Sequence, residues 1–456
     1  MIGRWAQSNL SSTEIGTGSI MLANRYFTST NNITIMVAVA MSVFIAQFLG
    51  AKKNEKIRKT FGIGIMLVSI LYFIFAVIGL IFAPKIIEFF ATTRQDGALM
   101  IEHGTTYLRI ILLSFIPLSL STPIAFALRG TKHTLVPMLA TLGTALSNII
   151  FNILFIYVFD FGIAGAAIAT LISRFIELTI LLIYFFKKKP EFYGKVNELF
   201  SFTKLQVKQL LHYSIPTSFA QVITEAIVIF MLFSYARIDA GNSNYISAIT
   251  LTQSVVDLVV AFVGGMGTAA SILVGTRLGA GKVEEAKENA RWQLTYVAVV
   301  GIISVIVMIL LIPIINYIYG FNAETQRILK VIMVIHAFSL PFSFFSTNVV
   351  FITRSGGFSK SAIIINNLTD LLIKIPLVII FVFITPEAFV NSNFFAFIFP
   401  NLSGPDGLII FVFLLDRLIE VIRFVVASIV YHKVPWAKSL NDEISTEDND
   451  QLVYNV

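Results

Sequence analysis

Two acidic residues lie in the middle of stretches that are otherwise apolar. Glu225 lies in "PTSFAQVITEAIVIF" and Asp257 in "TQSVVDLVV", and neither has a basic residue within one helical turn. Placing a charged side chain in the centre of a bilayer costs about 2.5–3.5 kcal/mol or more, so such a residue needs a partner or a purpose. A carboxyl group in apolar surroundings can alternately hold and release a proton or a small cation. We therefore predict that Glu225 and Asp257 bind a coupling ion or proton.

Further polar residues in apolar stretches are spaced so that they share a helical face. Asn148 and Asn152 are four residues apart, and their amides either bond between helices or line a cavity. Asp370 and Lys374 have the same spacing; they either neutralise each other or bind substrate or ion. His336 can titrate near neutral pH, although a lone histidine in such a stretch is most simply hydrogen-bonded. These five residues are candidates for binding substrate or lining its cavity.

Two pairs of opposite charge recur in the chain at a separation of three residues. Arg174 and Glu177 stand in "ISRFIEL", and Arg417 and Glu420 stand in "LDRLIEV". Residues three apart face each other on a helix and can neutralise each other locally. Because the pattern occurs twice, we predict that both pairs have a structural role in helix packing inside the membrane.

The elements that must position these residues are membrane-spanning helices. The chain has 456 residues, of which 56% are hydrophobic and 13% charged, and its mean hydropathy is +0.83. The stretch from Phe61 to Ala83 holds 23 uncharged residues, about 35 Å of helix against roughly 30 Å of hydrocarbon. The sequence predicts an all-α integral membrane protein. Its eleven predicted spans are 20–49, 61–83, 105–128, 137–159, 163–186, 211–236, 246–276, 292–316, 328–352, 361–384 and 407–431.

The basic residues predict the orientation of these spans. One set of loops carries 21 of the 33 lysines and arginines, and the opposite set carries five. Since basic loops stay in the cytoplasm, we predict a multi-pass protein of the plasma membrane with a cytoplasmic C-terminus. The positive net charge follows from this topology, so nucleic acid is not an expected partner. The first predicted span is the most polar, with Asn24, Arg25, Asn31 and Asn32, and we expect its neighbours to bury part of it.

The chain also repeats itself. "QFLGAKKNEKIRK" begins at Gln47 and "TRLGAGKVEEAKE" at Thr276, which is 229 positions later, and Arg129 and Arg354 correspond at a separation of 225. An even number of spans lies between the two Leu-Gly-Ala strings, so the halves are predicted to be parallel repeats related by an axis along the membrane normal. The predicted domains are a tail (1–19), an N-terminal lobe (20–190), a cytoplasmic linker (191–210), a C-terminal lobe (211–434) and an acidic tail (435–456).

Several pieces resemble the multidrug and toxin extrusion (MATE) family of secondary transporters. They are "AQFLGAKKNEK", "FALRGTKHTLVPM", "LSNIIFNILFIYVFDFGIAGAAIATLISRFIE" and "GTAASILVGTRLGAGKVEEAKENAR". The resemblance implies a monomer with two six-helix lobes around a central cavity. It also implies export of organic cations in exchange for Na+ or H+, with no other cofactor. A flippase for a lipid or lipid-linked sugar is the alternative, and the span residues Arg25, Arg109, Lys330, Lys374 and Arg423 leave it open.

The chain departs from the family pattern at two places. The first half shows one span fewer than the second, so the family's first helix is either absent or encoded upstream of Met1. The proton-linked branch of the family keeps its aspartate in that helix. The sodium-linked branch uses an acid in the seventh span, which Glu225 matches, and another in the tenth. The corresponding span, 328–352, offers only His336 and Lys330. The choice between Na+ and H+ therefore stays open. The motifs HExxH, GxSxG and the phosphate-binding GxxxxGK(S/T) are absent from the sequence, and we do not expect an enzyme.

Overall fold

The structure, a computed structural model, describes residues 13–91, 97–238, 243–319, 323–384 and 405–439. Every regular element in these ranges is a helix. We number the helices α1 (Thr13–Gly50), α2 (Asn54–Ala91), α3 (Gly97–Leu112), α4 (Phe115–Gly130), α5 (Leu135–Val158), α6 (Gly162–Lys188), α7 (Val196–Leu199), α8 (Lys204–Ile238), α9 (Ser243–Gly279), α10 (Val283–Tyr319), α11 (Ala323–Ser355), α12 (Ile363–Ile384) and α13 (Pro405–Lys433).

The prediction of an all-α membrane protein is confirmed. Among the described residues, eight helices are long and apolar enough to cross a bilayer, and α3 with α4 adds a ninth as one span bent by 48°. The other two long helices, α9 and α13, coincide with the remaining predicted spans. Four charged residues between positions 416 and 423 give α13 a polar segment. The count of eleven spans stays a prediction.

Helix α1 is the most buried of the eight spans. Buried residues make up 67% of its apolar window, compared with 50% or less for the seven others. The hydroxyl of Tyr107 donates a hydrogen bond to Asn24 Oδ1 at 3.3 Å, and that of Tyr72 donates one to Asn31 Oδ1 at 2.7 Å. These bonds satisfy amide groups that lipid could not. The expected burial of the first span is thus confirmed.

The chain forms two compact units, Met1–Gln221 and Val222–Val456. In the first unit α1 packs against α2, α3 and α4, and α6 packs against α3, α4 and α5. In the second unit α9 packs against α10 and α11, and α13 packs against α11 and α12. Helices at corresponding places in the two halves of the sequence therefore have corresponding neighbours.

The turns after α1 and α9 share one hydrogen-bond pattern. The amide of Lys52 bonds to the Leu49 carbonyl at 3.1 Å, and that of Gly281, 229 positions later, bonds to the Leu278 carbonyl at 3.0 Å. The next amide reaches five residues back in both turns, which defines a Schellman motif. This motif needs a left-handed residue, and φ is 58° at Lys52 and 75° at Gly281. Each Leu-Gly-Ala string therefore ends a helix in a tight turn.

Wide π-helical turns occur at corresponding places too. Helix α5 ends in a π-helical stretch, Leu154–Val158, and α12 ends in another, Ile379–Ile384. Their first residues are 225 positions apart, the separation that relates Arg129 to Arg354. Helix α12 has two further wide turns, Ile363–Asn367 and Asp370–Lys374. Such turns are rare and often occur at functional sites, which directs attention to α12.

The two Schellman turns give opposite predictions for stability. The left-handed conformation is sterically unfavourable for lysine but not for glycine. Lys52→Gly should therefore raise the free energy of unfolding by about 0.5–1 kcal/mol, and the melting temperature with it. Gly281→Ala should lower the free energy of unfolding by a similar amount, because alanine is strained in the left-handed conformation. The added Cβ would meet no atom within 4 Å, so backbone strain is the only effect expected. Thermal unfolding of the purified protein in detergent measures both. Lys53→Gly, next to the left-handed position, is the control and should give no gain; an unchanged melting temperature in Gly281→Ala would contradict the assignment.

Candidate ion and substrate sites

A cluster of buried charges lies in the second unit, where α12 meets α13. The ammonium group of Lys374 lies 3.1 Å from Asp370 Oδ1 and 2.6 Å from Asp416 Oδ1 on α13. The three side chains are 6–8% exposed. The predicted proximity of Asp370 and Lys374 is therefore confirmed, and Asp416 joins them as a residue that the sequence analysis did not single out.

Two arginines of α13 complete this cluster. Arg417 forms an ion pair with its neighbour Asp416, and Arg423 forms ion pairs with Glu420 and with Asp370 on α12. The described structure shows no direct ion pair between Arg417 and Glu420, although the two charges interact electrostatically. Glu420 has an arginine three residues away on either side and takes Arg423, because Arg417 is already held by Asp416.

The charges of the cluster balance. Three carboxylates (Asp370, Asp416, Glu420) face three bases (Lys374, Arg417, Arg423), so its formal charge is zero. Neutrality matters because an uncompensated buried charge costs several kcal/mol. We call these six residues the charge cluster.

His336 of α11 borders the charge cluster. Arg417 Nη1 donates a hydrogen bond to His336 Nε2 at 2.9 Å. Since an arginine can only donate, Nε2 must be unprotonated, and the imidazole is neutral with its proton on Nδ1. The side chain is buried, and Nδ1 has no hydrogen-bond partner within the described part of the chain. His336 thus holds Arg417 in place without adding charge.

The two acids predicted to bind the coupling ion lie on α8 and α9. Glu225 is 9% exposed, in agreement with its apolar sequence context. Its neighbour Thr224 accepts a hydrogen bond from Asn367 Nδ2 on α12 at 3.0 Å, so this part of α8 packs beside α12. Asp257 lies on α9, but its side chain is outside the described residues. Ion binding by either acid stays a prediction.

The two asparagines of the first unit form a short hydrogen-bonded chain. Asn152 Nδ2 donates to Asn148 Oδ1 at 2.9 Å, and Asn148 Nδ2 donates to Thr170 Oγ1 of α6 at 3.2 Å. Both asparagines are half-buried. The shared face is confirmed, and of the two predicted alternatives this geometry supports bonding between helices. A cavity-lining role stays untested.

The first unit contains a simpler counterpart of the charge cluster. Arg174 Nη1 lies 2.8 Å from Glu177 Oε2, which confirms the predicted pair. At the repeat separation of 243, Asp416 corresponds to Ser173 and Arg423 to Ile180. The second half therefore carries charges where the first half is neutral. A charged residue in one half that corresponds to a neutral residue in the other is the sequence signal that would have identified Asp416.

A protein-family model matches a large part of the chain. The model of the MatE family matches residues 1–154 and 214–380, which is more than half of the chain. Among individual proteins, the probable multidrug resistance protein YoeA of Bacillus subtilis is 26% identical over 287 residues, or 61% of this chain and 60% of YoeA. The probable multidrug resistance protein NorM of Listeria innocua is 24% identical over 338 residues, or 72% of this chain and 70% of NorM.

Solved structures of the same kind share the fold. A crystal structure of a MATE protein in the straight conformation superposes with a TM-score of 0.78, covering 94% of this chain and 90% of the other, at 20% identity. At 20% identity, the similarity shows that the fold is shared and does not show the function. The alignment with YoeA reaches only 60% of that protein's length, so activity and substrates have to be argued from the residues of this chain.

Proposed function

The chain belongs to the MatE family of multidrug efflux transporters, and from that premise we propose that it exports amphipathic, mostly cationic small molecules in exchange for Na+ or H+. The observation that carries the exchange is a buried carboxylate, Glu225, on a membrane-spanning helix. A carboxylate held away from water is a suitable group to bind a cation on one side of the membrane and release it on the other. The names of the curated relatives, probable multidrug resistance proteins, support drug-like substrates.

The driving force is adequate for this task. Moving one net charge across a membrane potential of roughly 100 mV releases about 2.3 kcal/mol. That free energy sustains a substrate gradient of roughly 40-fold for each charge moved. No nucleotide hydrolysis is needed.

Each proposed role falls to particular residues. Glu225, and Asp257 on the neighbouring helix in sequence, bind the coupling cation. Asn148 and Asn152 are the candidates for lining the substrate cavity, and alternating access of the two repeats carries the substrate outward. The protein acts as a monomer in the plasma membrane with its C-terminus in the cytoplasm, an orientation supported by the excess of lysine and arginine in one set of loops.

Dye efflux from proteoliposomes tests this proposal. Purified protein is reconstituted with ethidium inside, and efflux is started either by a Na+ jump at constant pH or by a pH jump without Na+. We expect one of the two gradients to drive efflux, and collapse of that gradient by an ionophore to stop it. If neither gradient moves ethidium or any of a panel of organic cations, cation-coupled drug export is not the function.

A further inference from the structure

We propose that Asp370 and Asp416 form a cation-exchange site in which the tethered ammonium group of Lys374 and a small monovalent cation occupy the position between the two carboxylates in turn. The site uses carboxylates other than Glu225 and Asp257. It deepens the proposed function, on which its role in transport rests. The shared chemistry is that of Na+ and H+, and the experiment below distinguishes them.

The first argument is the position of the ammonium group. Lys374 Nζ lies 2.6 Å from Asp416 Oδ1 and 3.1 Å from Asp370 Oδ1, and so it joins carboxylates of two different helices. A small cation that prefers oxygen ligands would make its bonds to these same two oxygens. Within the described residues no three acidic or histidine side chains converge on a metal position. The site therefore offers a cation two carboxylates rather than a preformed metal centre.

The second argument is which base can leave. Arg417 is held by Asp416, by the hydrogen bond to His336 and by the ring of Phe413, 5.3 Å from its guanidinium carbon. Arg423 is held by two carboxylates, Glu420 and Asp370. A guanidinium group keeps its charge and forms a rigid fork, whereas lysine carries a compact charge on a flexible stem. Lys374 also contacts two carboxylates, but through a single ammonium group on a flexible stem, so it is the base that can move away.

The third argument is stoichiometric. When Lys374 withdraws, three carboxylates remain opposite two arginines, and the cluster carries one net negative charge. A single monovalent cation restores neutrality, whereas a divalent ion would reverse the imbalance. Because uncompensated buried charge is costly, withdrawal of the lysine and entry of one cation are coupled.

The fourth argument concerns the backbone that carries two of the three groups. Asp370 and Lys374 are the first and last residues of one π-helical turn. Such a turn is wider than an ordinary one and is typical of functional sites. Relaxation to α-helical geometry would rotate Lys374 relative to Asp370, which supplies a local movement that changes the position of the ammonium group between the two carboxylates.

The charged and titratable groups that face the site come from four helices. They are Tyr235 of α8, His336 of α11, Asp370 and Lys374 of α12, and Asp416, Arg417, Glu420 and Arg423 of α13. The Tyr235 hydroxyl interacts electrostatically with Asp416 and Arg417, and it is buried without a hydrogen-bond partner among the described residues. It is a further oxygen available to a bound cation.

Cation binding by the purified full-length protein in detergent tests the proposal without requiring transport. One arm measures radioactive Na+ binding at fixed pH, and the other measures proton uptake on a pH jump without Na+. Lys374→Met removes the competing ammonium, so we expect affinity for the cation to rise about tenfold or more. Lys374→Arg keeps the charge but can bond to both carboxylates at once through its rigid, planar guanidinium group. We therefore expect the affinity for the cation to fall to a similar extent. An effect in the first arm identifies Na+, and an effect in the second arm alone identifies H+.

Two further variants serve as controls. Lys374→Met combined with Asp416→Asn removes one charge of each sign, so the neutral cluster should fold but lose the gain in affinity. Lys287→Met removes an exposed lysine paired with Glu284 and should bind cations like the wild type. Lys374→Arg decides the question if Lys374→Met does not fold. If both lysine variants take up cations like the wild type in both arms, the exchange site is refuted, even if efflux is ion-driven. If uptake is altered but no efflux occurs, the site is retained and the transport proposal is refuted.

Discussion

Glu225→Gln is expected to abolish ion-driven efflux while leaving the amount of protein in the membrane unchanged. Glutamine has nearly the same shape and keeps the hydrogen-bonding capacity of one oxygen, so packing around α8 is retained. It cannot alternate between a charged and a neutral form, and it therefore cannot bind and release the coupling cation. Dye efflux from proteoliposomes under the effective gradient should fall to the rate of protein-free vesicles.

An exposed glutamate supplies the control for this prediction. Glu284, at the start of α10, is 84% exposed and pairs with Lys287. Glu284→Gln should keep efflux near the wild-type rate, since surface ion pairs contribute little. If Glu225→Gln transports as fast as the wild type with the same dependence on the gradient, Glu225 does not bind the coupling cation.

Asp416→Asn is expected to be the most destabilising single change in the charge cluster. It leaves Lys374 and Arg417 without one of their carboxylates and gives a buried cluster one net positive charge. Breaking a buried ion pair by removing one partner costs about 3–5 kcal/mol. We expect a large drop in the melting temperature measured in detergent, together with low yield.

A second substitution should reverse much of that loss. Adding Lys374→Met to Asp416→Asn restores neutrality, so the double variant should melt well above Asp416→Asn alone. This non-additivity separates charge balance from packing, because a loss caused by packing would add across the two sites. Glu177→Gln in the first unit offers a comparison, since Glu177 and Arg174 form a single pair outside the charge cluster. Additive losses at 416 and 374 would show that the cluster does not act as one unit.

The helices could be predicted from the sequence because hydropathy acts locally. Every predicted span overlaps a helix, and the doubled Leu-Gly-Ala string marks two turns with the same hydrogen bonds. The pair Arg174 and Glu177 was predictable for the same reason, since both residues lie on one helix with no competing charge within a turn of either in the sequence. These features depend on neighbours within one or two turns.

The charge cluster could not be predicted because its pairing is decided between helices. Spacing alone allowed Glu420 to bind either Arg417 or Arg423. Which arginine it binds depends on Asp370 of α12, which contacts Arg423 in the folded protein. Asp416 was overlooked because it stands directly beside Arg417, a spacing that gives no helical face in common. The left-handed conformation of Lys52 could not be predicted either, because a glycine would indicate such a conformation and a lysine does not.

The burial of α1 has a consequence for biosynthesis. This helix leaves the ribosome before α2, α3 and α4, the helices that surround it in the first unit. At that moment Asn24 and Asn31 lack the tyrosines of α2 and α3 that later satisfy them. A nascent chain ending after α1 should therefore be held poorly by the bilayer. The helix gains a stable place only when α2 and α3 have followed it through the insertion machinery.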